Sequence, residues 1–136
     1  MTKTNKASAS TGNIPTLLVV EDEILIRFQI CAYLRECGFR VIETVNADEA
    51  IRILKEPALR VDLVLSNAGL PGAIDGHALA QWIGQEKPAL PVILAATPEH
   101  TADVAATVCE AGPMVAKPYE QQILLDRIRR TLADGG

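Results

Sequence analysis

The chain alternates, five times over, between a short apolar run and a stretch with helical spacing, and this rhythm limits its fold more than any other property. Thr16–Val20 (TLLVV) is continuously apolar, as a strand covered on both faces must be. Ile24–Cys37 follows with Ile26, Ile30, Leu34 and Cys37 at helical spacing, and Gly38 offers a stop. Arg40–Val45 predicts a second strand. Asn46 is an N-cap with Glu49 at the capping-box position, and the helix they open must end by Pro57. Asp62–Ser66 (DLVLS) predicts the third strand, and the loop NAGLPGAIDG leads into a helix around His77–Glu86. Pro91–Ala96 (PVILAA) predicts the fourth strand, before an Ala-rich, weakly amphipathic stretch over Glu99–Glu110. Gly112–Ala116 and Glu120–Leu132 complete the series, with Leu124, Ile128 and Leu132 on one face of the last helix. Five βα units in about 120 residues require a parallel sheet with right-handed crossovers and helices on both faces, a doubly wound α/β domain.

Residues 1–13 are polar and without periodicity, which predicts a disordered tail. One domain is expected over residues 14–133, and residues 134–136 are read as a short second tail. Aromatic residues are only 4% of the chain, so aliphatic side chains must build the core. The net charge of −4 argues against a nucleic-acid partner, because neutralising phosphates needs clustered Lys and Arg. The small group Arg127, Arg129 and Arg130 reads as a solvated helix face. Cys31, Cys37 and Cys109 form no CxxC pair and lack the His spacing of a zinc site; they are expected as buried apolar groups in a reducing compartment. With no apolar signal core and no membrane-length apolar stretch, a cytoplasmic protein without a membrane partner is expected.

In a sheet of this kind the functional site lies beyond the carboxyl ends of the strands. There the sequence places Glu21, Asp22 and Glu23 after the first strand, and Asn67, Ala68 and Gly69 after the third. Ala96 and Thr97 follow at the fourth, Lys117 and Pro118 at the fifth. Acidic groups at one strand end and a lysine at another suggest a hard-cation site with a countercharge nearby. A nucleotide or flavin phosphate would instead need Gly, Ser or Thr with free backbone N–H groups at a helix start. The chain has neither GxGxxG nor a Walker A motif.

VVEDE, DLVLSNAGLPGAIDG and AKPY, in this order and spacing, resemble the three signature regions of the receiver (response-regulator) family of two-component signalling. The similarity runs from Pro15 to Leu132. It implies a flavodoxin-like five-stranded sheet in the order 2-1-3-4-5. It also implies a chemistry. In that family an aspartate attacks the phosphoryl group of a kinase's phosphohistidine, while acidic residues after the first strand hold Mg²⁺. A lysine after the fifth strand pairs with the acyl phosphate. A Ser or Thr after the fourth strand hydrogen-bonds it, and an aromatic before the lysine turns inward to report it.

Against that pattern Glu21 and Asp22 match the acidic pair, Lys117 with Pro118 matches the lysine motif, and Gly69 matches the position whose carbonyl helps ligate the metal. Asn67 stands where the acceptor aspartate belongs, Ala96 where the Ser or Thr belongs, and Met114 where the aromatic is usual. A carboxamide is neutral and a poor nucleophile, so Asn67 is not expected to form an acyl phosphate. A Mg²⁺ site built from Glu21, Asp22, Asn67 and Gly69 should be weak, with no cofactor required. Three departures together point to natural degeneration, a pseudo-receiver, more than to one engineered substitution.

The resemblance then implies a non-enzymatic module that binds a histidine kinase, a phosphotransfer protein or another signalling protein, with a homodimer possible. No output domain fits after the last helix, so a stand-alone module is expected. The alternative is a phosphorylatable regulator, with Asn67 engineered or another residue as acceptor. Ser66 should point to the other side of its strand and Asp75 lies further along the loop. Leu25 and Phe28 widen the apolar surface of the first helix and are expected in the core, a partner surface being the other reading. Trp82 is expected to pack, His77 to sit at a helix start, and His100 to face solvent. By resemblance, Tyr119 would border a partner face.

Overall fold

The computed structural model describes residues 14–96, 114–116 and 121–135. The tail at 1–13, the helix expected over 99–110, and Thr97, His100, Cys109, Lys117, Pro118 and Tyr119 lie outside the described residues. In chain order the elements are β1 (Thr16–Val20), α1 (Ile24–Glu36), β2 (Arg40–Thr44), α2 (Ala47–Leu54) and β3 (Leu63–Asn67). They continue with α3 (Gly76–Glu86), β4 (Val92–Ala96), β5 (Met114–Ala116) and α4 (Gln121–Gly135). The strands are all parallel and pair in the order β2-β1-β3-β4-β5.

Strand alternation sends successive side chains to opposite faces, and both faces are covered. Leu17, Val19, Leu63, Leu65 and Ile93 pack with Ile30, Cys31 and Leu34 of α1 and Leu124 and Ile128 of α4. Leu18, Val20 and Val64 pack on the other side with Ala47, Ala50 and Leu54 of α2 and Leu79 and Ile83 of α3. Trp82 joins this second cluster as a partly buried packing residue. Burial first, and then the neighbouring Glu43 carboxylate, push the Cys31 thiol up to about 12, which keeps it a neutral packing group. Cys37 is only half-buried.

Helix ends follow local chemistry. The Asn46 side chain accepts from the Glu49 N–H at 2.8 Å, as the capping box predicts. Glu49 reaches back one residue further than expected, to the N–H of Val45 at 3.0 Å. At the end of α1 the N–H groups of Gly38 and Phe39 donate to the carbonyls of Arg35 and Leu34, closing a Schellman motif. Gly38 sits there at φ 100°, a region that costs a side-chain-bearing residue roughly 1–2 kcal/mol. Gly38→Ala is therefore expected to lower the melting temperature by about 5 °C, read by thermal denaturation. Open space around Gly38 leaves backbone strain as the cause.

Three further features depart from the sequence reading. β3 runs to Asn67 rather than Ser66, because the ladder continues with Asn67 opposite Ala95 and the Ala68 N–H donating to the Ala95 carbonyl at 2.7 Å. α4 continues to Gly135, through the first two residues of the expected C-terminal tail. Leu25 and Phe28 are not in the core: they are 75% and 69% exposed, and Ile24 beside them is 70% exposed. The inward stripe of α1 is filled by Ile30, Cys31 and Leu34, which leaves the opposite face of its first turns apolar and open. Leu25→Lys together with Phe28→Lys should shift the melting temperature by no more than about 2 °C, whereas core positions would lose far more. Among the described residues no helix is long and apolar enough to cross a membrane.

Candidate functional site

β1 and β3 are neighbours in parallel register, with Val20 opposite Ser66. The residues that follow, Glu21 and Asp22 on one side and Asn67 on the other, therefore meet at the carboxyl edge of the sheet. The Asn67 carboxamide nitrogen donates to Asp22 Oδ1 at 2.8 Å and, at a longer 3.4 Å, to Glu21 Oε2. Its oxygen accepts the Gly69 N–H at 3.2 Å. An ionised carboxylate can only accept and a backbone N–H can only donate, so these neighbours fix which way the amide faces.

Glu21 is fully buried and Asn67 nearly so. A buried carboxylate is costly unless donors surround it, and two of the donors here are a backbone N–H and a carboxamide. Glu21 Oε2 takes the Glu23 N–H at 3.1 Å as well as the Asn67 amide. Arg27 steadies the same turn from its backbone side, donating from Nη1 to the Glu21 carbonyl at 2.9 Å. Its Nε pairs with Glu43 at 3.4 Å, and Arg35 meets Glu43 at 2.8 Å, which ties the turn after β1 to β2.

The third support comes from α3. The Gly76 N–H donates to the Ala68 carbonyl at 3.0 Å, bringing the helix start against the end of β3. A Cβ on Gly76 would collide with the Asn67 carbonyl and lie 2.7 Å from Ala68 Cα. Asp75 caps the helix by accepting the Ala78 N–H at 2.9 Å. Ser66 is buried, and its hydroxyl donates to the Asn67 main-chain carbonyl at 3.1 Å.

Of the residues that the sequence singled out, Glu21, Asp22, Asn67 and Gly69 are brought together. Ala96 ends β4 opposite Ala116, and Met114 pairs with Leu94 two residues earlier. Whatever their surroundings, neither offers a hydroxyl or an aromatic ring. His77 is half-buried in the first turn of α3. Sequence reasoning missed Arg27 and Gly76. An Arg one turn beyond the acidic residues reads as an ordinary helix-surface charge, and a Gly after a capping Asp reads as a helix entrance.

Mg²⁺ needs oxygen lone pairs. Among the described residues there is no cluster of three His, Cys, Asp or Glu side chains able to hold a metal. At Asn67 the amide hydrogens point at the acidic oxygens that an ion would use, while the amide oxygen is engaged by Gly69. An ion seated on Glu21 Oε2 or Asp22 Oδ1 would compete with these hydrogen bonds.

The sequence profile of the response regulator receiver domain matches residues 17–129. The chain is 32% identical over 123 residues to the transcriptional regulatory protein AfsQ1 of Streptomyces coelicolor, covering 90% of this chain and 53% of that protein. It is likewise 32% identical over 119 residues to PhoB, the phosphate regulon transcriptional regulatory protein of Escherichia coli K12, covering 85% of this chain and 51% of PhoB. The chain thus spans about half the length of these curated relatives. Among solved structures it resembles the signal receiver domain of an HD domain-containing protein from Pseudomonas fluorescens Pf-5, with a TM-score of 0.80 and 26% identity over 90% of this chain and 98% of the other. Matched by the family profile over most of its length, the chain belongs to the response regulator receiver domains of two-component signalling.

Proposed function

We propose that this receiver domain does not accept a phosphoryl group and works instead by docking another signalling protein in a fixed conformation. Receiver domains interact with histidine kinases and other signalling proteins, and a protein of that class is the expected partner. The observation that carries the reading is the Asn67 carboxamide between two carboxylates. It gives the acidic pair neutral hydrogen-bond donors, so the pair is compensated without Mg²⁺ and no metal is required. In the same position it removes the nucleophile, since an amide nitrogen has its lone pair delocalised into the carbonyl. Ala96 and Met114 extend the departure, because phosphate at this edge would find neither a hydroxyl nor an aromatic reporter at those positions.

The docking half of the proposal is supported by Ile24, Leu25 and Phe28, an open apolar surface on the order of 400 Å² on the first turns of α1. It begins one residue beyond Glu23, so a partner seated there would also reach the acidic edge.

The test is intact mass after incubation with Mg²⁺ and acetyl phosphate, with Asn67→Asp alongside. The wild-type chain is expected to keep its mass while a fraction of the variant gains one phosphoryl group. A phosphoryl group on the wild-type chain would reveal another acceptor and overturn the proposal.

A further inference from the structure

The opposite edge of the sheet, at the amino ends of the strands, carries a groove that the receiver reading leaves unused. A cavity of about 500 Å³ opens between the segment that follows α2 and the turn that leads into β4. Leu54, Leu59, Leu90 and Leu132 supply its apolar lining, and Arg60 and Lys87 its charged rim. A smaller hollow of about 300 Å³ continues it toward Ile14 and Arg40, sharing Arg60, Asp62 and Leu132. The larger volume is in the range of small-molecule sites, which are mostly apolar with a few placed polar groups.

The charge here runs against that of the whole chain. The protein carries a net charge of −4, yet the groove presents Arg40, Arg60 and Lys87 against the single carboxylate of Asp62. That carboxylate is already engaged: Oδ2 accepts the Thr16 N–H at 2.8 Å and Oδ1 accepts Arg60 Nε at 3.1 Å. Arg60 uses only its Nε in that bond, and its side chain is 85% exposed. Lys87 makes no ion pair among the described residues. Leu59 stands 43% exposed beside them, an apolar group left open next to two cations.

From an apolar lining, a cationic rim and an occupied acid, we infer that this groove binds an amphiphilic carboxylate. The apolar body lies against Leu54, Leu59, Leu90 and Leu132, and the head group meets Arg60 and Lys87. A guanidinium favours a carboxylate because its fork can donate two parallel hydrogen bonds. A cationic amphiphile of the same chain length is excluded by the rim. The site is separate from Asn67, so it stands or falls independently of the phosphorylation result.

The test uses the whole chain and the fluorescent probe 8-anilinonaphthalene-1-sulfonate, with decanoate as competitor below its micelle-forming concentration. Saturable probe binding displaced by decanoate, but not by decyltrimethylammonium, is expected. Amide NMR shifts on adding decanoate should cluster at Leu59–Asp62 and Lys87–Leu90. Arg60→Gln with Lys87→Gln should weaken decanoate at least about tenfold, as loss of charge-assisted contacts implies, with an unchanged melting temperature. Equal displacement by the cationic amphiphile would overturn the inference, as would shifts centred on Ile24–Phe28 or unchanged affinity in the double variant. Displacement by an acidic Leu-containing hexapeptide but not by decanoate would assign the groove to a protein partner and also overturn it.

Discussion

Asn67→Asp is expected to make the melting temperature depend on Mg²⁺, while the wild-type chain melts at the same temperature with the ion and without it. The change removes the hydrogens that now reach Asp22 and Glu21 and puts a third negative group beside two others. Hydrogen bonds to charged groups are worth about 1.5–3 kcal/mol, and clustered like charges add repulsion to that loss. The Gly69 N–H still finds a carboxylate oxygen, so the backbone turn persists. A net cost of about 3 kcal/mol corresponds to a fall on the order of 10 °C for a domain of this size. Millimolar Mg²⁺ should restore most of it, because three carboxylates form the hard-oxygen cage that the wild-type residues do not. Differential scanning calorimetry with Mg²⁺ and with EDTA reads the effect directly. Equal Mg²⁺ sensitivity in both proteins would remove the basis for calling the carboxamide a substitute for the ion.

Gly76→Ala should be the most damaging Gly→Ala change among the described glycines. At Gly38, Gly69, Gly72 and Gly84 an added Cβ would meet nothing within 4 Å, but at Gly76 it meets the Asn67 carbonyl and the Ala68 backbone, and neither can swing aside as a side chain would. Relief requires α3 to move away from β3, which breaks the hydrogen bond from Gly76 to Ala68 and unseats Leu79 and Ile83 from the core. Overpacking of side chains costs about 1–3 kcal/mol, and a backbone clash belongs at or above the top of that range. A loss of about 10 °C or more is expected, with chemical-shift changes at Asn67 and Gly69. Gly84→Ala on the same helix is the control, since its Cβ would point into open space. Its expected effect is neutral or slightly stabilising.

The same contrast shows what the sequence can and cannot reveal. Leu17, Leu18, Val19 and Val20 are apolar in succession because β1 is covered on both faces, and such a run reads as a strand. The acidic pair and Asn67 were legible as strand-end residues, and parallel pairing of β1 with β3 is enough to bring them together. The apolar run of DLVLS points to a strand end at Ser66, whereas the ladder is held by backbone atoms that do not register side-chain polarity and continues to Asn67. Leu25 and Phe28 were expected inside because hydrophobicity shows only that burial is favourable, not that a neighbour exists to provide it. Gly76 was opaque for a different reason. Its importance lies in a through-space approach to residues nearly ten positions away, and a missing side chain leaves no periodic trace.

The bond from the Ala68 N–H to the Ala95 carbonyl has a consequence for the lifetime of the protein. Asparagine ages into aspartate when the next residue's main-chain nitrogen attacks the carboxamide carbon and closes a five-membered imide. That nitrogen is committed to the neighbouring strand at 2.7 Å, and the extended backbone of β3 holds it in the ladder. Spontaneous deamidation would first require the edge of the sheet to open. The neutral group at position 67 is thereby protected from conversion to a carboxylate for as long as the domain stays folded.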